Sequence, residues 1–307
     1  MAHLAVTGSH PAWLVARWLD REGFAATERW LAFNNAPAAL TLRANRLRTS
    51  REALADDLAA EGVRTHPTAV APDGLVVDEG KAFASTPFTS GACWVQDEAS
   101  QLIPDLLGVE PGHTVLDLCA SPGGKTVALA AAAGVEGRVV ACDVRPKRIA
   151  LLRETLARCG VTHARVVHVD AEAPLPFRAA FDRVLVDAPC SGLGTVRRDP
   201  DIRWHRQPED LPRLAAAQQD LLARAAAVVR PGGRLLYSTC SSEPEENAEV
   251  VRAFLGTHPG FRTVPLQSLP LPSAVRALAD EDGWLRTSPP RDRLEAFFAA
   301  LLERAIP

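Results

Sequence analysis

"HTVLDLCASPGGKTVALAAAAG", residues 113–134, decides the fold. A short apolar run ends in Asp117, a turn of small residues with two adjacent glycines follows, and an alanine-rich stretch closes on a glycine. That is the strand, turn and helix of an α/β unit. The pattern recurs with "RVVACD" (138–143), "ARVVHVD" (164–170), "DRVLVDAP" (182–189) and "GRLLYSTC" (233–240), separated by alanine- and leucine-rich helical stretches. Short continuous apolar strands between helices belong to a parallel sheet covered on both faces. The expected architecture is α/β: a doubly wound, Rossmann-like domain over residues 91–307.

Upstream, "ALTLRANRLR" (39–48), "VRTHPTAV" (63–70) and "GLVVD" (74–78) read as strands, with the helix "EALADDLAAEG" (52–62) after the first and a capping spacing at Thr49 and Glu52. This predicts a smaller α+β domain within residues 1–90, headed by a helical segment whose Trp13, Leu14, Trp18 and Leu19 share one face. The Pro-, Gly- and Ser-containing "STPFTSGACWV" (85–95) marks the boundary.

A net charge of −3 excludes a protein that coats nucleic acid by bulk electrostatics and leaves room for a local basic face. None of the six cysteines has zinc-knuckle or C-x-x-C spacing, so no metal site is expected and a cytoplasmic location fits. No run approaches the roughly 18 apolar residues of a membrane span, and the start lacks the character of a signal peptide.

Ligands of open α/β sheets bind beyond the carboxyl ends of the strands. Four successive strand ends carry an acid: Asp117, Asp143, Asp170 and Asp187. One such residue reads as a helix cap; four in register crowd their charges on one rim unless a ligand with hydroxyls, amines or positive charge uses them. The turn Cys119, Ala120, Ser121, Pro122, Gly123, Gly124, Lys125 lets a backbone approach that ligand. It lacks the first glycine of a Walker A loop, where Cys119 stands, and the G-x-G-x-x-G fingerprint is absent. S-adenosylmethionine remains. Asp143 is placed for the ribose hydroxyls and Asp170 for the adenine amine, with the glycine turn at the amino-acid end.

Two thiols share this rim. Cys190 in "DAPCSG" and Cys240 in "YSTCSS" both follow strand ends. A cysteine chosen blindly is usually a small core residue. Carbon 5 of cytosine, however, attacks a sulfonium methyl only after a thiolate adds at carbon 6, and a second group must then help release the enzyme. An acid at the ring nitrogen completes the set. Asp187, Cys190 and Cys240 supply these parts, and the residues alone leave open which thiol attacks.

"DLCASPGGKT", "DAPCSG" and "YSTCSSEPEEN", in this order, resemble the signature segments of the RsmB/NOL1/NOP2/Sun family of RNA cytosine-C5 methyltransferases, and the resemblance runs through most of residues 10–307. It implies that Cys240 is the nucleophile, that Cys190 aids release, that Asp187 assists at the ring, and that Cys119 to Lys125 with Asp143, Asp170 and Asp187 bind S-adenosylmethionine. It also implies an RNA-recognition-like small domain and an RNA substrate such as 16S rRNA or a small-subunit assembly intermediate; separately, a monomer is expected. The NusB-like helical domain of fuller bacterial relatives is expected to be missing, since about thirty residues of helix precede the small domain. Near the end, Glu295 and Ala296 stand where aspartate and glycine are usual, and Pro290 replaces a common histidine.

For RNA contact the sequence offers Arg43, Arg46, Arg48 and Arg51, and then Arg197, Arg198, Arg203 and Arg206 with Trp204 for stacking. Alternatives keep the chemistry on tRNA or another RNA, or retain the fold as a noncatalytic assembly factor.

Overall fold

A computed structural model of the chain describes residues 1–170, 173–178 and 180–306. Three helices come first: α1 (Ala2–Thr7), α2 (Ala12–Glu22) and α3 (Phe24–Asn35). Their apolar face, with Leu14, Val15, Trp18, Trp30 and Leu31, packs on Leu193, Leu211 and Ala296 of the large domain. Trp18 and Trp30 stack with centroids 4.6 Å apart, while Trp13 and Leu19 lie half-buried at the margin. The helical segment therefore belongs to the large domain's surface, although sequence order puts it beside the small one.

The small domain runs β1 (Thr41–Ala44), α4 (Arg51–Ala60), β2 (Arg64–Pro67), β3 (Gly74–Glu79), α5 (Thr86–Thr89) and β4 (Cys93–Val95). Its antiparallel sheet is ordered β2-β3-β1-β4 around Leu42, Leu54, Leu58 and Leu75. The cap of α4 is Ser50, whose Oγ accepts the Ala53 N–H at 3.1 Å, one residue past the expected Thr49. The domain also extends beyond the expected boundary at residue 90, because β4 pairs with β1 from Leu42↔Val95 to Ala44↔Cys93. Three residues carry too little alternation to announce a strand.

In the large domain α6 (Glu98–Leu106) leads to β5 (Thr114–Asp117), α7 (Gly124–Ala133), β6 (Arg138–Asp143), α8 (Pro146–Cys159), β7 (Ala164–His168) and β8 (Phe181–Asp187). Then come α9 (Ile202–His205), α10 (Asp210–Val228), β9 (Val229–Thr239), α11 (Ala248–Thr257), β10 (Phe261–Thr263), β11 (Leu285–Arg286) and β12 (Phe298–Arg304). The sheet order is β10-β12-β9-β8-β5-β6-β7. Strands β5 to β9 are parallel; β12 enters antiparallel between β9 and β10, which makes the sheet mixed. Separate apolar clusters cover the two faces, one around Val184, Val186 and Leu222, the other around Leu102, Ile103 and Leu129.

Of the first arginine group, Arg43 faces inward, while Arg46 and Arg48 remain exposed. Strand β1 lies inside its sheet and is buried along its whole length. Arg43 must therefore be satisfied internally: it is 2% exposed and donates to the Gln101 carbonyl at 2.6 Å and to Asp105 at 2.9 Å, both on α6. Arg46 pairs with Asp73, Arg48 with the Cys159 carbonyl, and Arg51 with Glu52.

Removing one partner of a buried ion pair strands the other. Arg43→Ala is thus expected to lower global stability by about 3 kcal/mol in urea unfolding. A loss within the few tenths typical of a surface site would contradict its structural role.

Candidate active site

Strands β5, β6 and β8 end at Asp117, Asp143 and Asp187, and Asp170 lies two residues beyond β7. Parallel registration alone puts them on one edge. The turn from Cys119 to Lys125 opens α7 from the same edge. Gly123 adopts φ 112°, and a Cβ at Gly124 would lie 2.7 Å from Trp94 Nε1, so β4 of the small domain presses its tryptophan against the turn.

Two adjoining cavities occupy the rim. The first, about 290 Å³, has Asp143, Arg145 and Asp170 at its polar end and Leu175, Pro189 and Leu221 as apolar wall. The second, about 230 Å³, lies among Gln96, Asp97, Gly124, Lys125, Asp187 and Phe297. Cys119 lines both. Asp143 is buried; its Oδ1 accepts the Arg145 N–H, and its Oδ2 has Arg148 at 4.0 Å. An apolar wall next to a carboxylate suits an adenine and a ribose diol, and the acidic rim suits a cationic sulfonium. The residues present fit S-adenosylmethionine.

Lys125 Nζ lies 2.7 Å from Asp187 Oδ2, and Ser238 donates to Asp187 Oδ1 at 2.9 Å. Burial alone would depress the ammonium, but Asp187 and Cys240 outweigh it and raise Lys125 above its ordinary range. Asp117 differs. It accepts from Thr126 at 2.7 Å, its Oδ1 has no partner among the described residues, and burial pushes its carboxyl up to about 7.

The two rim thiols meet. Cys190 Sγ and Cys240 Sγ are 3.3 Å apart. Cys240 is pushed below the ordinary thiol range, first by the hydrogen bond from Cys190 and then, against burial and Asp187, by Lys125. Cys190 is raised by the same hydrogen bond and by burial. Burial likewise raises Cys93, Cys119, Cys142 and Cys159. Only Cys240 of the six moves toward thiolate.

The loop bearing Cys240 is braced from a distance that sequence reasoning missed. Arg17 on α2 binds Glu243 at 2.6 Å and Glu245, and Trp18 Nε1 donates to Glu243 at 3.2 Å. "EPEEN" after the cysteine was the available signal, but Arg17, the partner of its Glu243 and Glu245, lies more than 200 residues away. The second arginine group is likewise engaged inside the protein. Arg197 and Arg198 bind the buried Glu295, Arg198 also binds Asp97, and Arg203 is buried against Ser9 and His10. Arg206 donates to the Ser191 carbonyl, while Trp204 remains exposed. Glu295, the atypical residue near the end, thus anchors the segment that follows Cys190.

Asp117 yields a pH-dependent test. Its folded pKa lies above the unfolded value, so the stability associated with it is complete below about pH 4 and lost as pH rises through about 7. Asp117→Asn keeps the shape without the charge. Its stabilisation is expected to grow from pH 4 to 7 and level near 4 kcal/mol above that; equal urea midpoints for variant and wild type at pH 8 would contradict the burial argument.

The family described as 16S rRNA methyltransferase RsmB/F matches residues 104–303, and the ferredoxin-like domain of RsmF/B-like methyltransferases matches residues 10–84. The "Probable ribosomal RNA small subunit methyltransferase B" of Bacillus subtilis is 36% identical over 98% of this chain and 68% of its own length. The "Ribosomal RNA small subunit methyltransferase B" of Pseudomonas putida is 39% identical over 91% of this chain and 65% of its own. The chain thus spans about two thirds of these relatives. The crystal structure of PH0851 superposes with a TM-score of 0.90 at 34% identity, over 98% of this chain and 68% of that one. With a family match over residues 104–303 and relatives 36–39% identical over more than nine tenths of its length, the chain belongs to the RsmB/F family of S-adenosylmethionine-dependent methyltransferases.

Proposed function

We propose that the protein methylates carbon 5 of a cytosine in RNA, 16S rRNA by analogy with its named relatives, through a covalent adduct with Cys240. The observation that carries this reading is the thiol pair, 3.3 Å apart and shifted in opposite directions. S-adenosylmethionine, when bound, supplies an electrophilic methyl group. Cys119 to Lys125 with Asp143, Asp170 and Asp187 are the residues that would hold it.

The Cys240 thiolate adds to carbon 6, forming an S–C bond and moving the ring's electron pair toward carbon 5 and the ring nitrogen. The Lys125 ammonium, held in place by Asp187, compensates charge at that nitrogen. After transfer, loss of the carbon 5 proton to a base returns its electron pair to the C5–C6 bond and expels the Cys240 thiolate. Cys190, kept protonated, can hydrogen-bond the departing sulfur. The same two roles do not fit a noncatalytic assembly factor, which has no use for an activated thiol.

Cys240→Ala is expected to abolish methyl transfer to small-subunit RNA, while Cys190→Ala accumulates a protein–RNA adduct that migrates as a slow band in a denaturing gel. An adduct from Cys240→Ala in place of Cys190→Ala would reverse the two roles. Asp143→Ala should weaken S-adenosylmethionine binding by about tenfold or more in calorimetry, the loss of a hydrogen bond to a charged group; unchanged affinity would remove it from the ribose.

A further inference from the structure

Glu246 has no solvent exposure and touches neither cavity. Its Oε1 accepts the Ser191 N–H at 2.8 Å and Gln218 Nε2 at 3.0 Å; its Oε2 accepts the hydroxyls of both Ser191 and Ser241. Those hydroxyls lie 3.1 Å apart. Ser191 follows Cys190 and Ser241 follows Cys240, so one carboxylate grips both loops at the residue next to each thiol. A second tie, from the Gly194 N–H to the Cys240 carbonyl at 2.9 Å, closes the other side. A buried carboxylate is tolerable only with its lone pairs satisfied. Four donors do this here, and in doing so they fix where the loops sit.

We infer that Glu246 is a positioning residue: it sets the separation of Cys190 and Cys240 and thereby their exchange of a hydrogen bond. The catalytic consequence rests on the two-thiol reading above; the geometric one does not. Misplacement of a reacting group by about 1 Å costs on the order of 100-fold in rate.

Phenylarsine oxide serves as a ruler. It forms two As–S bonds with two adjacent thiols, its oxygen leaving with both thiol protons as water and no change in oxidation state. The full-length wild-type protein, free of RNA, is expected to capture one arsenical that survives a monothiol wash, and Cys190→Ala should lose it. Glu246→Ala should weaken capture by about tenfold, the share of one hydrogen bond to a charged group. Glu246→Gln should restore it, because its carbonyl still accepts both N–H groups while its amide donates to the hydroxyls. Ser191→Ala combined with Ser241→Ala cuts the same tie without opening a large cavity, and decides the matter if Glu246→Ala does not fold. Wild-type capture by both of these clamp-breaking proteins would overturn the inference. With spacing lost, turnover should fall about 100-fold at unchanged KM for S-adenosylmethionine; unchanged turnover would sink the two-thiol reading and leave the clamp standing.

Discussion

Strands β8 and β9 run parallel and end together, with Asp187 opposite Ser238. Everything at the site depends on that register. Two chains leaving a sheet side by side must turn away at one place, and each turn here carries a cysteine. A shift of one residue in either strand would send its side chains to the opposite face. The hydrogen bond from Ser238 to Asp187 ties the two ends directly, and Lys125 from the neighbouring turn completes the contact.

Charge explains why this rim needs so much support. Asp117, Asp143 and Asp187 lie at adjacent strand ends, and each raises the thiol of Cys119. One ammonium, Lys125, partly neutralises them and also lowers Cys240. The same cation therefore holds an acid and favours a thiolate. Asp117, with one oxygen unpartnered among the described residues, responds differently: burial raises its carboxyl, so it takes up a proton more readily than an exposed acid.

The rim was legible because strand-end acids and the glycine turn are local patterns. The parallel strands could be read for the same reason. What escaped was set by long-range packing. Strand β4 has three residues, and only its partner β1 makes it a strand. Arg43 reads as a surface cation until β1 is known to be buried, and Arg197, Arg198 and Arg203 read so until Glu295, Asp97 and Ser9 are brought to them. The function of "EPEEN" was hidden because Glu243 and Glu245 answer to Arg17, at the other end of the chain.

The ties between the two domains have a mechanical consequence. Arg43 of β1 grips α6, while Asn45 holds the carbonyl of Cys159 at the end of α8 and Arg158 reaches back to the carbonyls of Phe88 and Cys93. Pinned at two separate places by buried polar contacts, the domains resist hinging, since opening would leave those groups without partners. On the reading proposed above, any anchor point on the small domain then keeps a fixed offset from the thiols, like the jaws of a set calliper. Fit is left to the polynucleotide, and selection falls on whichever fold of it spans that gap.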